Sequence, residues 1–128
     1  MKMENTAKIL ICDENADFRR LTSEYLLGMG FAAPDEAANG EEALRKITLH
    51  RPDVVIIDPP RKGTTKELVD YLDSLGVKKI VYVSCGPDTL ARDCKWFSEV
   101  GYQIGEVTPV DLFPGTGHVE SVVCLTRR

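Results

Sequence analysis

A chain of 128 residues has the size of one domain, and its 43% hydrophobic and 28% charged content is ordinary for a globular protein with one real core. No apolar run approaches the roughly 18 residues of a membrane span, and the start, MKMENTAKIL, lacks the apolar core of a secretory signal, so a cytoplasmic protein with no membrane partner is expected. The net charge of −4, with 7 basic and 10 acidic groups in residues 1–57, is not the basic surface of a stand-alone nucleic-acid binder, and RNA is therefore not an expected partner.

KILIC, residues 8–12, reads as a first strand ending at the acidic pair Asp13-Glu14. Phe18, Leu21, Tyr25, Leu26 and Met29 recur at helical spacing, which predicts an amphipathic helix over 15–29 stopped by Gly28 and Gly30. A weak strand is expected near 31–37, where Pro34 suits an edge. Asn39, with Glu42 three residues on, approximates a capping box for a second helix running to His50. Residues 53–58 form a β-branched run that delivers Asp58 to a loop, as a buried parallel strand does. A third helix over 64–76, a strand over 78–85 and a fourth helix over 87–101 with Pro87 in its first turn come next. YQIGEVTPVDLF and HVESVVCLT then read as two strands joined by the turn PGTG.

Four βα units call for a doubly wound, mostly parallel α/β sheet with helices on both faces. The last strand follows a four-residue turn, too short for a crossover, and must run antiparallel. One domain over 1–128 is expected, without repeat or linker. Cys12, Cys85, Cys94 and Cys124 are scattered and form neither a zinc spacing nor a disulfide framework.

Two resemblances meet at Asp58. KILICDENADFRRL, EAANGEEAL and RPDVVIID resemble the front half of a response-regulator receiver domain. That resemblance implies Mg²⁺ held by Asp13, Glu14 and Asp58, with Asp58 as phosphoryl acceptor and Ser84 at the switch-hydroxyl position. The receiver pattern stops there, because the late segment EVTPVDLF lacks the family's lysine.

The motifs DPPRKG, YVSCGPDTLARD, VDLFPGTGHVE and SVVCLTRR resemble instead the C-terminal half of the 5-methyluridine RNA methyltransferases, which use S-adenosylmethionine. The resemblance implies Cys85 as the nucleophile that attacks C6 of a flipped-out uridine, and Glu120 as the base that removes the C5 proton. It places Asp58, Pro60 and Arg61 in the nucleotide pocket. Gly86 stands where that family usually has asparagine.

The methyltransferases bind their cofactor with a glycine-rich turn after the first strand, where this chain has DENADF. The expectation is therefore a fusion, engineered or otherwise, of a receiver-derived half (1–58) and a methyltransferase-derived half (59–128). Such a chimera would carry no native catalysis. S-adenosylmethionine would not be bound and at most weak Mg²⁺ binding or phosphorelay chemistry would survive. The strand order inherited from the two parents is 2-1-3-4-6-5, with strand 6 antiparallel.

Overall fold

The computed structural model describes residues 6–60, 62–113 and 118–127, with the side chains of 111–113 and 118–119 left aside. Its elements alternate as the βα rhythm requires: β1 (Ile9–Cys12), α1 (Ala16–Gly28), β2 (Asp35–Ala37), α2 (Gly40–His50), β3 (Val54–Ile57), α3 (Lys66–Ser74), β4 (Lys79–Ser84) and α4 (Pro87–Glu99). Three strands close the chain: β5 (Tyr102–Ile104), β6 (Thr108–Phe113) and β7 (His118–Arg127). The turn PGTG lies outside the described residues.

The helices start where local chemistry satisfies their free N–H groups. Asn15 Oδ1 accepts from the backbone of Asp17 and Phe18, and Asn39 Oδ1 accepts from Glu42 N at 2.8 Å. Glu42 reaches back to Ala38 N at 2.7 Å, one residue earlier than the capping box anticipates. Thr65 caps α3 through Leu68 N. Gly86 supplies no side chain to α4, and Pro87 removes one donor that would otherwise need a partner.

Sheet order is β2-β1-β3-β4-β7-β5, with β6 pairing β7 beyond that path. β2, β1, β3 and β4 are parallel, and β7 runs antiparallel between β4 and β5. This is the expected order, and right-handed crossovers build it, with β2 to β3 passing over β1 and β4 to β5 passing over β7. The single strand expected over 102–113 is instead two. Gly105 N donates to Cys124 O at 2.9 Å, and a Cβ at Gly105 would stand 2.8 Å from that oxygen. The backbones approach so closely that the strand kinks, and pairing with β7 resumes at Thr108. Pro109 sits on β6, an edge where a missing N–H costs no ladder bond. The weak strand expected over 31–37 shortens to Asp35–Ala37, after Pro34.

Alternation along the strands divides the core unevenly. Leu10, Val55, Ile57, Ile80, Tyr82, Val123 and Leu125 face α2, α3 and α4, joining Ile47, Leu72, Leu90 and Phe97 in one large cluster. Phe97 stands edge-on to both Tyr82 and Tyr102, with ring centroids 6.5 and 5.6 Å away. Ile9, Ile11 and Val54 face the other way and pack against Leu26 and Phe31. α1 contains no buried residue. No helix among the described residues is long and apolar enough to cross a membrane.

Candidate active site

Parallel strands place their carboxyl ends along one sheet edge, where ligands of doubly wound folds bind. Asp13 follows β1, Asp58 follows β3 and Cys85 follows β4, while Glu120 lies near the start of antiparallel β7. Four chemistry-bearing residues thus stand on four adjacent strands. The register sharpens this, because the β4–β7 ladder ends with Ser84 paired to Ser121, and Cys85 and Glu120 each lie one residue beyond that last pair. On the other side of β7, Val110 faces Glu120.

The carboxylates interact. Asp13 is buried at 6% exposure, its Oδ1 accepts from Asn15 N at 3.0 Å, and its Oδ2 has no partner. Burial, with the neighbouring Asp13, Glu120 and Glu14 carboxylates, raises Asp58 from 3.8 to about 8. Glu120 Oε2 is likewise buried without a partner.

Among the cysteines, Cys85 is exposed, while Cys12, Cys94 and Cys124 are half-buried. Burial and Asp13 push the Cys12 thiol up to about 11, and burial raises Cys94 as well. Ser84 is buried, and its Oγ exchanges hydrogen bonds with the backbone of Gly86 at 2.9 and 3.1 Å. That hydroxyl helps turn the chain into α4. Among the described residues no group of three or more His, Cys, Asp or Glu side chains has metal-site geometry, so the Asp13, Glu14 and Asp58 cluster gains no support as a Mg²⁺ centre. Arg61 lies outside the described residues.

A cavity of about 500 Å³ opens beside these carboxylates. Asp13, Glu14, Asp58 and Pro60 line it, with an apolar wall of Leu44, Ile57, Leu68 and Tyr71. Cys85 and Glu120 lie along the same sheet edge but outside that lining.

Sequence reasoning missed a second cluster. Asp93 on α4 is fully buried and accepts from Thr64 N at 2.9 Å and from the Tyr82 hydroxyl. Arg92 donates to Asp93 Oδ1 and to the carbonyls of Lys62 and Thr64. The signal was the ARD that ends YVSCGPDTLARD, quoted as part of a motif but given no role.

Residues 14–128 match the tRNA (uracil-5-)-methyltransferase family. The chain belongs to that family.

An uncharacterized RNA methyltransferase of Streptococcus pyogenes serotype M18 is 51% identical over 121 residues, 94% of this chain and 25% of the relative. Another from Clostridium acetobutylicum is 54% identical over 76 residues, 59% of this chain and 16% of the relative. The chain thus spans a quarter or less of these curated relatives. Among solved structures, the Pyrococcus abyssi tRNA (uracil-54, C5)-methyltransferase in complex with S-adenosyl-L-homocysteine superposes with a TM-score of 0.65 at 33% identity. That match covers 94% of this chain and 34% of the archaeal one. A precorrin-6y C5,15-methyltransferase of Geobacter metallireducens, with a TM-score of 0.63 at 15% identity, shares the fold.

These findings correct the fusion reading. The family match starts at residue 14 and the streptococcal relative aligns along nearly the whole chain, so residues before Asp58 lie inside the methyltransferase family rather than in a receiver domain. The expectations of an inactive, non-enzymatic chimera, of phosphorelay chemistry, of no S-adenosylmethionine and of no RNA partner fall with it. The carboxylates of DENADF had argued against the cofactor because they would repel its own carboxylate. The cofactor also carries a sulfonium and an ammonium, and an orphaned buried acceptor on Asp13 beside Glu14 suits a cation. The apolar residues Leu44, Ile57, Leu68 and Tyr71 in the same lining suit a flat purine, so the residues present fit the group.

Proposed function

We infer that this chain forms the catalytic segment of an S-adenosylmethionine-dependent RNA methyltransferase acting at C5 of uridine. The observation that supports the reading is the β4–β7 register, whose last pair, Ser84 with Ser121, leaves Glu120 and the exposed Cys85 each one residue away on the edge that also bears Asp58.

In this reading the Cys85 sulfur bonds to C6 of the uracil, and the electron pair of the C5–C6 double bond moves toward C5 and the O4 carbonyl. Bound S-adenosylmethionine supplies an electrophilic methyl group. Once C5 carries that methyl, Glu120 removes the C5 proton, the double bond re-forms and the sulfur leaves. The free Glu120 Oε2 has the acceptor capacity for this proton. Asp13 and Glu14 would hold the cationic end of the cofactor, and Asp58 and Pro60 would border the base. Uridine reaches Cys85 by leaving its stack, since C6 is shielded within one.

The test is methyl transfer from labelled S-adenosylmethionine to uridine-containing RNA, with nucleoside analysis of the product. The wild-type chain in its full-length protein should give 5-methyluridine. Cys85→Ser should lose activity by about 10³-fold or more. Glu120→Gln should accumulate an RNA–protein adduct that survives denaturation, because bond formation at C6 precedes the lost proton removal. Wild-type turnover by Cys85→Ser would overturn the reading.

A further inference from the structure

We propose that Arg92 and Asp93 are positioning residues that lock the Lys62–Thr64 wall of the cavity to the helix beginning just after Cys85. The proposal rests on the methyltransferase reading for its catalytic consequence, and on geometry alone for the lock itself.

The bonds converge from three elements. Asp93 Oδ2 takes Thr64 N and the Tyr82 hydroxyl of β4, while Asp93 Oδ1 takes Arg92 Nε at 3.2 Å and Nη2 at 3.0 Å. Arg92 Nη2 also donates to Lys62 O at 2.9 Å and Thr64 O at 3.1 Å. The guanidinium lies over the Trp96 ring, 4.6 Å from its centroid, which holds its plane. Gly63, with φ +84, lies between these groups, and a Cβ there would stand 2.7 Å from both Arg92 Nη2 and Asp93 Oδ2. Its N–H is itself bonded to Pro60 O at 2.7 Å. Every backbone group that Lys62, Gly63 and Thr64 contribute to these bonds meets a fixed partner.

A carboxylate at 0% exposure is costly to desolvate and is tolerated only where its oxygens are fully bonded, as they are here. What the charge provides is a unique geometry. Its donors are a loop amide, a strand hydroxyl and a guanidinium that grips two loop carbonyls. Lys62, Gly63 and Thr64 line the cavity beside Asp58. α4 starts two residues after Cys85, so the pair in its second turn ties the cavity wall to the nucleophile's own helix. Reacting groups misplaced by about 1 Å can cost a hundredfold in rate, which is the scale at which such a lock matters.

Arg92→Lys is the informative variant, because the side chain is 43% exposed and lysine keeps the charge while losing the planar fork. Amide exchange of residues 62–64 should rise about tenfold, with a thermal midpoint within a few degrees of wild type. In the full-length protein kcat for 5-methyluridine formation should fall about tenfold, because the loosened wall no longer holds a reactive arrangement. D93N provides a second variant, with the same loop amides as readout. Loop exchange that stays at the wild-type rate, or rises only in step with global unfolding, would overturn the lock. A wild-type protein that makes no 5-methyluridine would instead overturn the methyltransferase reading, and the exchange measurement would still decide the lock.

Discussion

Asp58 shows how a crowded carboxylate burdens its own fold. Its carboxyl is raised from 3.8 to about 8, so between those values the folded chain holds a proton that the unfolded chain has released. Stability must therefore fall as pH rises through that window and level off above it. For a half-buried group this is worth on the order of 2 kcal/mol after solvent screening. Asp58→Asn should flatten the slope and raise the melting temperature near pH 8, and a melting series from pH 5 to 9 checks it. A steeper decline in the variant would show that another group governs the slope. The crowding was legible in the sequence, since Asp13, Glu14 and Asp58 all end strands on one edge. Its meaning was not, because clustered acids read equally well as a metal centre and as the seat of an organic cation. Arg92 and Asp93 were less legible still. A charged pair on a helix looks solvated until its partners, some 30 residues away in the chain, are brought against it.

At the scale of elements, the sequence announced its helices through apolar spacing, terminal glycines, a first-turn proline and caps, and the cap of α2 is the clearest case. Asn39 holds Glu42 N, and the Glu42 side chain returns to Ala38 N. Asn39→Ala should destabilise the fold by about 1 kcal/mol, the usual cost of a lost cap, measurable as a lower midpoint in urea with an unchanged slope. The cost has a functional side, because Asn39 and Gly40 border the same cavity as Asp58. The break between β5 and β6 was not readable, although its cause is one residue. Gly105 looks like any strand glycine until the carbonyl of Cys124 stands against it.

For the molecule as a whole, the βα rhythm implied a parallel sheet and one short turn an antiparallel last strand, while the strand order came from the two resemblances. What they could not give is the ancestry of the first half. Receiver domains and methyltransferases both wind a parallel sheet that ends its strands in acids, and a motif read against that shared background identifies the architecture before the family. The layering is uneven for the same topological reason. Crossovers to the right put α2, α3 and α4 on one face, and the single crossover to the left leaves α1 alone on the other.

The position of β7 governs the order in which this protein can come into being on a ribosome. β5 and β6 leave the exit tunnel before their shared partner, and among the described residues neither pairs with any other strand. β4 meanwhile waits with one edge open. β2, β1, β3 and β4 can assemble early, but Glu120 joins their edge only when the strand that carries it slots into the gap. A nascent chain stopped before His118 should therefore show protease-sensitive β5 and β6 segments beside a protected β1–β4 core, and pulse proteolysis of stalled chains would reveal it. Completion of this sheet would then wait on the arrival of one strand.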